Sequence, residues 1–461
     1  MPTSTVISIP SLRAELEGRV IAPDDPDYDQ ARTIFPGGFD RRPAAIARPL
    51  NTADVSRIVV RARETGVELA VRSGGHSGAG HSVSEGGIVL DLADMRALDI
   101  DVEAGTAWAQ TGLTAGEYTA AAGAHGLVTG FGDTGSVGIG GITLGGGIGF
   151  LVRKYGLTID DLLAAELVTA DGEVLHVDAD SHPDLFWAIR GGGGNFGVAT
   201  RLKFRLHELP AVVGGMLLLP ATPETVSSFI SESEAAPEEL STIANVMPAP
   251  PMPFIPDEHH GKLVIMAMMC YAGGTEAGER ALAPFRALAN PLADMVRPIE
   301  YPEMYPPEPD FHPVAVGHTF FLDRVDRSAA ETMIEHLQKS DALMSVTQLR
   351  VLGGAMARVP ADATAFAHRG SRIMANVAAV YDRPETADKH TAWVSDFAAA
   401  LRQEDPGAYV NFLFDEGEAR VRAAYPGSTW DRLTAIKARY DPTNLFRLNQ
   451  NIPPADKGAL P

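Results

Sequence analysis

The chain has 461 residues, 45% of them apolar, and a formal net charge of −21 at pH 7. That length gives room for about two or three domains, and the apolar share supplies a full core, which excludes wholesale disorder. The acidic balance excludes a nucleic-acid partner, which would need a basic surface, and argues against docking on an anionic membrane.

The elements follow in chain order. Residues 51–66 carry Val55, Ile58, Val59 and Ala62 at helical spacing, with Asp54 near the start. Val67, Leu69 and Val71 alternate as a strand that runs into Ser73-Gly74-Gly75-His76-Ser77, and 88–90 reads as a second short strand. Thr114 and Glu117 have the spacing of a capping box for a helix through Ala122. Residues 167–170 and 173–177 flank Asp171-Gly172 as a hairpin. Ser181 with Asp184 opens a helix that ends in 191–194, and Val198 to Leu206 alternate as a strand.

The texture changes near 207–210. Strands are expected at 263–271, 348–352, 372–381 and 409–414, and helices at 276–288, 328–338 and 386–401. The Pro-rich stretches 247–256 and 301–313 read as ordered loops whose Met, Tyr and Phe content suits a pocket wall. Trp430, Leu433, Ile436, Lys437 and Tyr440 follow helical spacing up to Asp441-Pro442, and the polar tail beyond is expected to fold back onto the N-terminal part. The single cysteine, Cys270, lies in an apolar run and reads as a core thiol; it allows no intrachain disulfide. The N-terminal residues lack a basic and then apolar leader pattern, and no apolar run approaches the ~20 residues of a membrane span. A cytoplasmic protein is the expectation.

Gly192 to Gly197 satisfies G-x-G-x-x-G, but a helix precedes it and a strand follows, the reverse of a dinucleotide-binding βα turn. The glycine-dense loop 138–149 lacks the Lys-Ser or Lys-Thr of a P-loop, yet its backbone N–H groups suit a pyrophosphate. No His, Cys or carboxylate set has metal-ligand spacing, and no G-x-S-x-G elbow is present, so metal and hydrolase-triad readings fall away. His76 is bracketed by small residues, where a cofactor can come close.

The stretches Arg72-Ser73-Gly74-Gly75-His76, 86–92, 145–149, 154–157, 184–193, Asn195-Phe196-Gly197-Val198 and Tyr440-Asp441-Pro442-x-Asn444 occur in this order in a known family. The chain thus resembles the berberine-bridge-enzyme-like FAD-linked oxidases of the vanillyl-alcohol-oxidase superfamily, with a texture nearest the bacterial 6-hydroxy-D-nicotine oxidase branch. The resemblance implies an α+β chain: a PCMH-type FAD-binding domain at 1–208, a substrate domain at 209–430 with a mainly antiparallel sheet backed by helices, and a segment 431–461 returning to the first. It implies FAD linked covalently to His76. Arg72, Ser73, Gly74, Gly75, Ser77, Thr134, Val137, Gly138, Gly140, Gly141, Leu144, Gly145, Gly147, Asn195, Gly197, Val198 and Asn449 are then the remaining cofactor residues.

Many members carry a second, cysteinyl tether where this chain has Thr134, so a single tether is expected. Val137 stands where oxygen-using members carry valine, which favours an oxidase. Tyr409 resembles the tyrosine of a Tyr-x-Asn stretch and is the expected base. Arg358 stands where some members have a base glutamate, and Ile148 where plant members have a tyrosine, so both of those mechanisms are in doubt. A phenol whose ordinary pKa is about 10 needs a cation near it to act at neutral pH, and Arg358 or His368 is the expected source. The expected partners are a partly apolar small-molecule alcohol or amine and O2, the product beside the oxidised substrate being hydrogen peroxide; a dehydrogenase, an oxidative cyclase and an oligosaccharide oxidase remain open.

Overall fold

The computed structural model describes residues 7–308 and 311–456. Its N-terminal part holds two main sheets and a two-stranded pair, Leu127–Val128 with His207–Glu208. In the first, Arg19–Ile21 pairs antiparallel with Ala45–Arg48, and Ala45–Arg48, Ile88–Asp91 and Leu69–Arg72 run parallel. The helix Thr52–Thr65 buries Val55, Ile58, Val59 and Ala62 against it. Asn51 caps that helix through the Asp54 N–H, and Gly66 ends it at φ 68°, a conformation that favours glycine. The second sheet is antiparallel, in the order Leu98–Asp101, Thr106–Gln110, Val198–Arg205, Leu162–Val168, Val174–Asp178. Thr114 and Glu117 form the reciprocal capping box of the helix Ala115–Gly123. The helix Pro183–Ile189 is entered not from Ser181 but from His182, whose φ of 53° turns the chain into it.

The middle of the chain forms one large antiparallel sheet. From its edge strand Ala293–Asp294 the order is Val212–Pro220, Leu263–Tyr271, Leu240–Pro248, Met344–Val351, Ile373–Tyr381, Val314–Leu322. Helices Pro223–Ala235, Thr275–Arg286, Arg327–Lys339 and Ala387–Leu401 cover one face, burying Leu349, Val351, Ile373, Ala375 and Val377 among their own apolar residues. Side chains alternate along a strand, so Gln348, Arg350 and Asn376 are placed on the opposite face, toward the first two sheets. Cys270 is buried in this sheet, and burial pushes its thiol up to about 12.

Two expectations need correction. The segment 409–414 is not a strand: Tyr409 is extended, Val410–Phe412 is a 3-10 turn, and side chains rather than a ladder anchor it. The return to the N-terminal part starts earlier than 431. Ala408, Val410, Leu413, Val421, Ala424 and Tyr425 already share a core with Leu162, Leu167 and Phe204, joined by Trp430, Leu433 and Ile436 of the helix Ser428–Tyr440. Each of the Val, Leu and Ile side chains among them contributes roughly 1.5–3 kcal/mol of burial before entropy is counted. The strands Val212–Pro220, Leu240–Pro248 and Val314–Leu322 and the helix Pro223–Ala235 had no clear signal in the pattern.

Candidate flavin site

A cavity of about 520 Å³ lies where the two N-terminal sheets, the cavity face of the large sheet and the returning segment meet. The strand Leu69–Arg72 delivers the loop beneath it. Arg72 does not line the cavity; its guanidinium is buried, donating to Asp91 at 2.9 Å and to the Ala31 carbonyl at 2.6 Å, which anchors the loop's base. Ser73, Gly74, Gly75, His76 and Ser77 then line the cavity, facing Thr134, Val137, Gly138, Gly140, Gly141 and Leu144. Asn195, Gly197 and Val198 add a third side, and Asn449 of the tail a fourth.

The two glycine loops touch each other. A Cβ on Gly74 would lie 2.1 Å from the Gly138 nitrogen, and one on Gly138 2.1 Å from Ser73 Oγ. Only bare backbone fits there, so Gly138→Ala is expected to abolish flavin loading, seen as colourless purified protein with little visible absorbance; a fully yellow variant would contradict it. Gly145 and Gly147 are packing positions rather than lining ones. A Cβ on Gly145 would strike Asn411 Oδ1, and one on Gly147 would strike Thr158 Oγ1.

His76 is held on two sides. Its ring stacks on Phe35 with centroids 4.1 Å apart. Its Nε2 lies 2.9 Å from Ser136 Oγ, which in turn donates to a carboxylate oxygen of Glu308 at 2.6 Å. Burial pushes the imidazole down to about 4, against the opposing pull of Glu308, so the ring is neutral near pH 7.

Tyr409 is fully buried at the other end. Its phenol oxygen accepts from Gly147 N at 3.0 Å, Ile148 N at 3.3 Å and Asn411 Nδ2 at 2.9 Å. Burial raises its pKa, while those three donors and Arg350 lower it. The nearby cation is therefore Arg350, not either expected residue. Arg350 is buried on the strand Met344–Val351, ion-paired with Asp133 at 2.7 Å, donating to the Ile148 carbonyl, and lying 5.0 Å from the Phe412 ring centroid. Arg358 points to solvent and pairs with Glu238. His368 is buried outside the cavity lining, its Nε2 3.1 Å from the Ala424 carbonyl and its ring under Gly407. Neither can supply the charge at Tyr409, because Arg358 is turned to Glu238 and His368 to the Ala424 carbonyl. Arg350 had a signal, a lone cation two residues from Gln348 in an apolar strand; Ser136 and Glu308 had none. No group of three metal-ligating side chains occurs among the described residues, and no helix of the described residues is long and apolar enough to cross a membrane.

The arrangement is that of a flavoprotein oxidoreductase, and the comparisons agree. Residues 43–178 match the FAD binding domain family and residues 408–453 the berberine and berberine-like family. The (R)-6-hydroxynicotine oxidase of Paenarthrobacter nicotinovorans is 32% identical over 95% of this chain and 97% of its own. The crystal structure of 6-hydroxy-D-nicotine oxidase from Arthrobacter nicotinovorans superposes with a TM-score of 0.85 at 28% identity, covering 95% of this chain and 98% of that one. The BBE-like 1 protein of Physcomitrella patens gives a TM-score of 0.87 at 25% identity, covering 98% and 100%. The chain belongs to the berberine-bridge-enzyme-like family of FAD-linked oxidoreductases. Its α+β fold is the PCMH type.

The residues present fit FAD. The Gly74–Gly138 contact leaves a side-chain-free cradle for a pyrophosphate. Asn449 lines the cavity with Oδ1 buried and without a hydrogen-bond partner among the described residues.

Proposed function

We propose that this enzyme is an oxidase that takes a hydride from a carbon bearing oxygen or nitrogen in a partly apolar small molecule and passes the electron pair to O2, releasing hydrogen peroxide, with FAD tethered once, through His76. The observation that carries the reading is the Tyr409 phenol, set on three hydrogen-bond donors at the cavity wall beside Arg350. When bound, FAD supplies the two-electron acceptor. Tyr409 then receives the proton of the substrate's O–H or N–H group, and Arg350 favours the phenolate that does so. Arg350 is itself held in place by Asp133 and Gln348. Ile148 and Phe412 make that end partly apolar, and Asn376 Oδ1, buried without a partner among the described residues, is an acceptor for a substrate donor group. Val137 on the cavity wall supports the use of oxygen. Thr134 stands where a second tether would need a cysteine.

A screen of secondary alcohols, amines and oligosaccharides for peroxide release tests the reading. Substrate should bleach the flavin under argon, and air should restore it. Turnover with dye under argon that greatly outruns turnover with oxygen would instead make the enzyme a dehydrogenase. For the tether, His76→Ala is expected to keep the fold and bind flavin reversibly, so that acid precipitation leaves the pellet colourless. Flavin retained in that pellet would sink the single-tether assignment.

A further inference from the structure

We propose that Ser136 and Glu308 form a relay that fixes the tautomer of His76 and carries its proton away as the flavin bond forms. The proposal rests on the reading of His76 as the tether and asks how this chain makes that bond. His76 can attack only through a ring nitrogen with a free lone pair, and the hydrogen bonds decide which one that is.

The chain of donors runs in one direction. A carboxylate can only accept, so the Ser136 hydroxyl at 2.6 Å gives its hydrogen to Glu308 Oε2. Glu308 Oε1 is held at the same time by the Ser136 backbone N–H at 3.0 Å, which fixes the carboxylate's orientation. The hydroxyl oxygen is thereby left as an acceptor toward His76, so Nε2, 2.9 Å away, carries the proton. Nδ1 keeps its lone pair and belongs to a side chain that lines the cavity. Stacking on Phe35 holds the ring in this orientation. The ring enters the reaction neutral, because burial holds it so.

In the attachment step, Nδ1 bonds to the 8α carbon of the isoalloxazine. That carbon loses one hydrogen as a proton, and the electron pair of the broken C–H bond enters the ring system. Alkylation at Nδ1 leaves the imidazole positively charged, and its Nε2 proton leaves through Ser136 Oγ to Glu308. Dioxygen takes the electron pair together with two protons as hydrogen peroxide, which returns the tethered flavin to its oxidised form. Two hydrogens leave the pair of reactants, one from carbon and one from nitrogen, and both are accounted for.

Glu308 belongs to the Pro-rich segment of the middle domain, whereas His76 and Ser136 belong to the N-terminal part. Ser136 and Glu308 are positioning residues that touch the cofactor only through His76.

The relay makes a prediction that a structural role does not. In Glu308→Gln the amide oxygen can still accept from Ser136 N, which turns the NH2 group onto Ser136 Oγ. The hydroxyl must then donate to Nε2, and the proton of His76 moves to Nδ1, blocking the attacking atom. Glu308→Ala only removes the acceptor and leaves both tautomers open. Glu308 is exposed, so neither variant threatens the fold.

Wild type and both variants are produced under riboflavin limitation, so that part of each is untethered, and incubated with FAD in air. At intervals they are acid-precipitated, and flavin is measured in pellet and supernatant. Flavin bound before precipitation is read from its visible spectrum, which shows that each variant is folded. The expected result is acid-stable flavin in wild type, attachment slowed roughly 10²-fold in Glu308→Gln, and a smaller slowing in Glu308→Ala. Equal rates in all three, or a slower rate in the alanine variant than in the glutamine variant, would overturn the relay. Complete release of flavin from wild type by acid would overturn the tether itself, a distinguishable failure.

Discussion

Replacing Tyr409 by phenylalanine is expected to slow substrate-driven bleaching of the flavin by about 10²–10⁴-fold, with the flavin still loaded. The phenol oxygen gathers Gly147 N, Ile148 N and Asn411 Nδ2, more donors than a neutral phenol needs, which is the environment of a group that must bear negative charge. Burial acts the other way and outweighs them, since it is the largest influence and the net shift is upward. Tyr409 therefore starts protonated near pH 7 and must shed its proton before it can accept one. The sign follows: bleaching should accelerate as pH rises, and the phenylalanine variant should lose that dependence. The variant also leaves two backbone N–H groups short of an acceptor, at a cost of about 1–3 kcal/mol each if they stay buried and unpaired, so its melting temperature should be recorded alongside. Anaerobic stopped-flow at several pH values is the measurement. A variant as fast as wild type, with the same pH profile, would remove Tyr409 from the chemistry.

The second large effect concerns stability. Lys437 on the last helix and Asp441 at its C-cap are both wholly enclosed and 2.7 Å apart. The ammonium also donates to the carbonyls of Asn195 and Phe446, and the carboxylate accepts from Leu445 N and Phe446 N. The ammonium thus ties the end of the helix to both the 192–195 loop and the tail, while the carboxylate holds the tail's first turn. Lys437→Met leaves the carboxylate buried without its counter-charge, which costs about 3–5 kcal/mol. The midpoint for flavin fluorescence release in urea should fall accordingly. Adding Asp441→Asn should recover part of the loss, because the remaining group is then neutral. An unchanged midpoint in the single variant would show that the pair does not hold the tail.

What was legible in the sequence was whatever local chemistry dictates. The capping box at Thr114 and Glu117, the strand Leu263–Tyr271 and the helix Arg327–Lys339 each carry their own periodicity or cap. The glycine loops were legible because a backbone that must approach another backbone at the Gly74–Gly138 contact tolerates no Cβ. The cation beside Tyr409 was not, since a long-range strand register sets it: Arg350 reaches Ile148 and Asp133 across the domain junction, and nothing near Tyr409 in sequence reports that. His368 illustrates the opposite error. It follows Phe366 in an aromatic stretch that lies close to Tyr409, yet its ring turns under Gly407 and away from the cavity. The 409–414 segment reads as a strand, but its polar side chains bond the glycine loop where a neighbouring strand would have been.

The tail has a consequence for how the enzyme matures. Asn449 and Gln450 form part of the cavity wall, and Asn195 bonds both the Gln450 carbonyl and the Ile452 N–H. A ribosome makes these residues after both N-terminal sheets and the whole large sheet. A nascent chain that has already folded its glycine loops therefore still presents an open trough. Enclosure of the flavin has to await residues 446–452, so the sheets alone do not complete the site, whatever the order in which they fold.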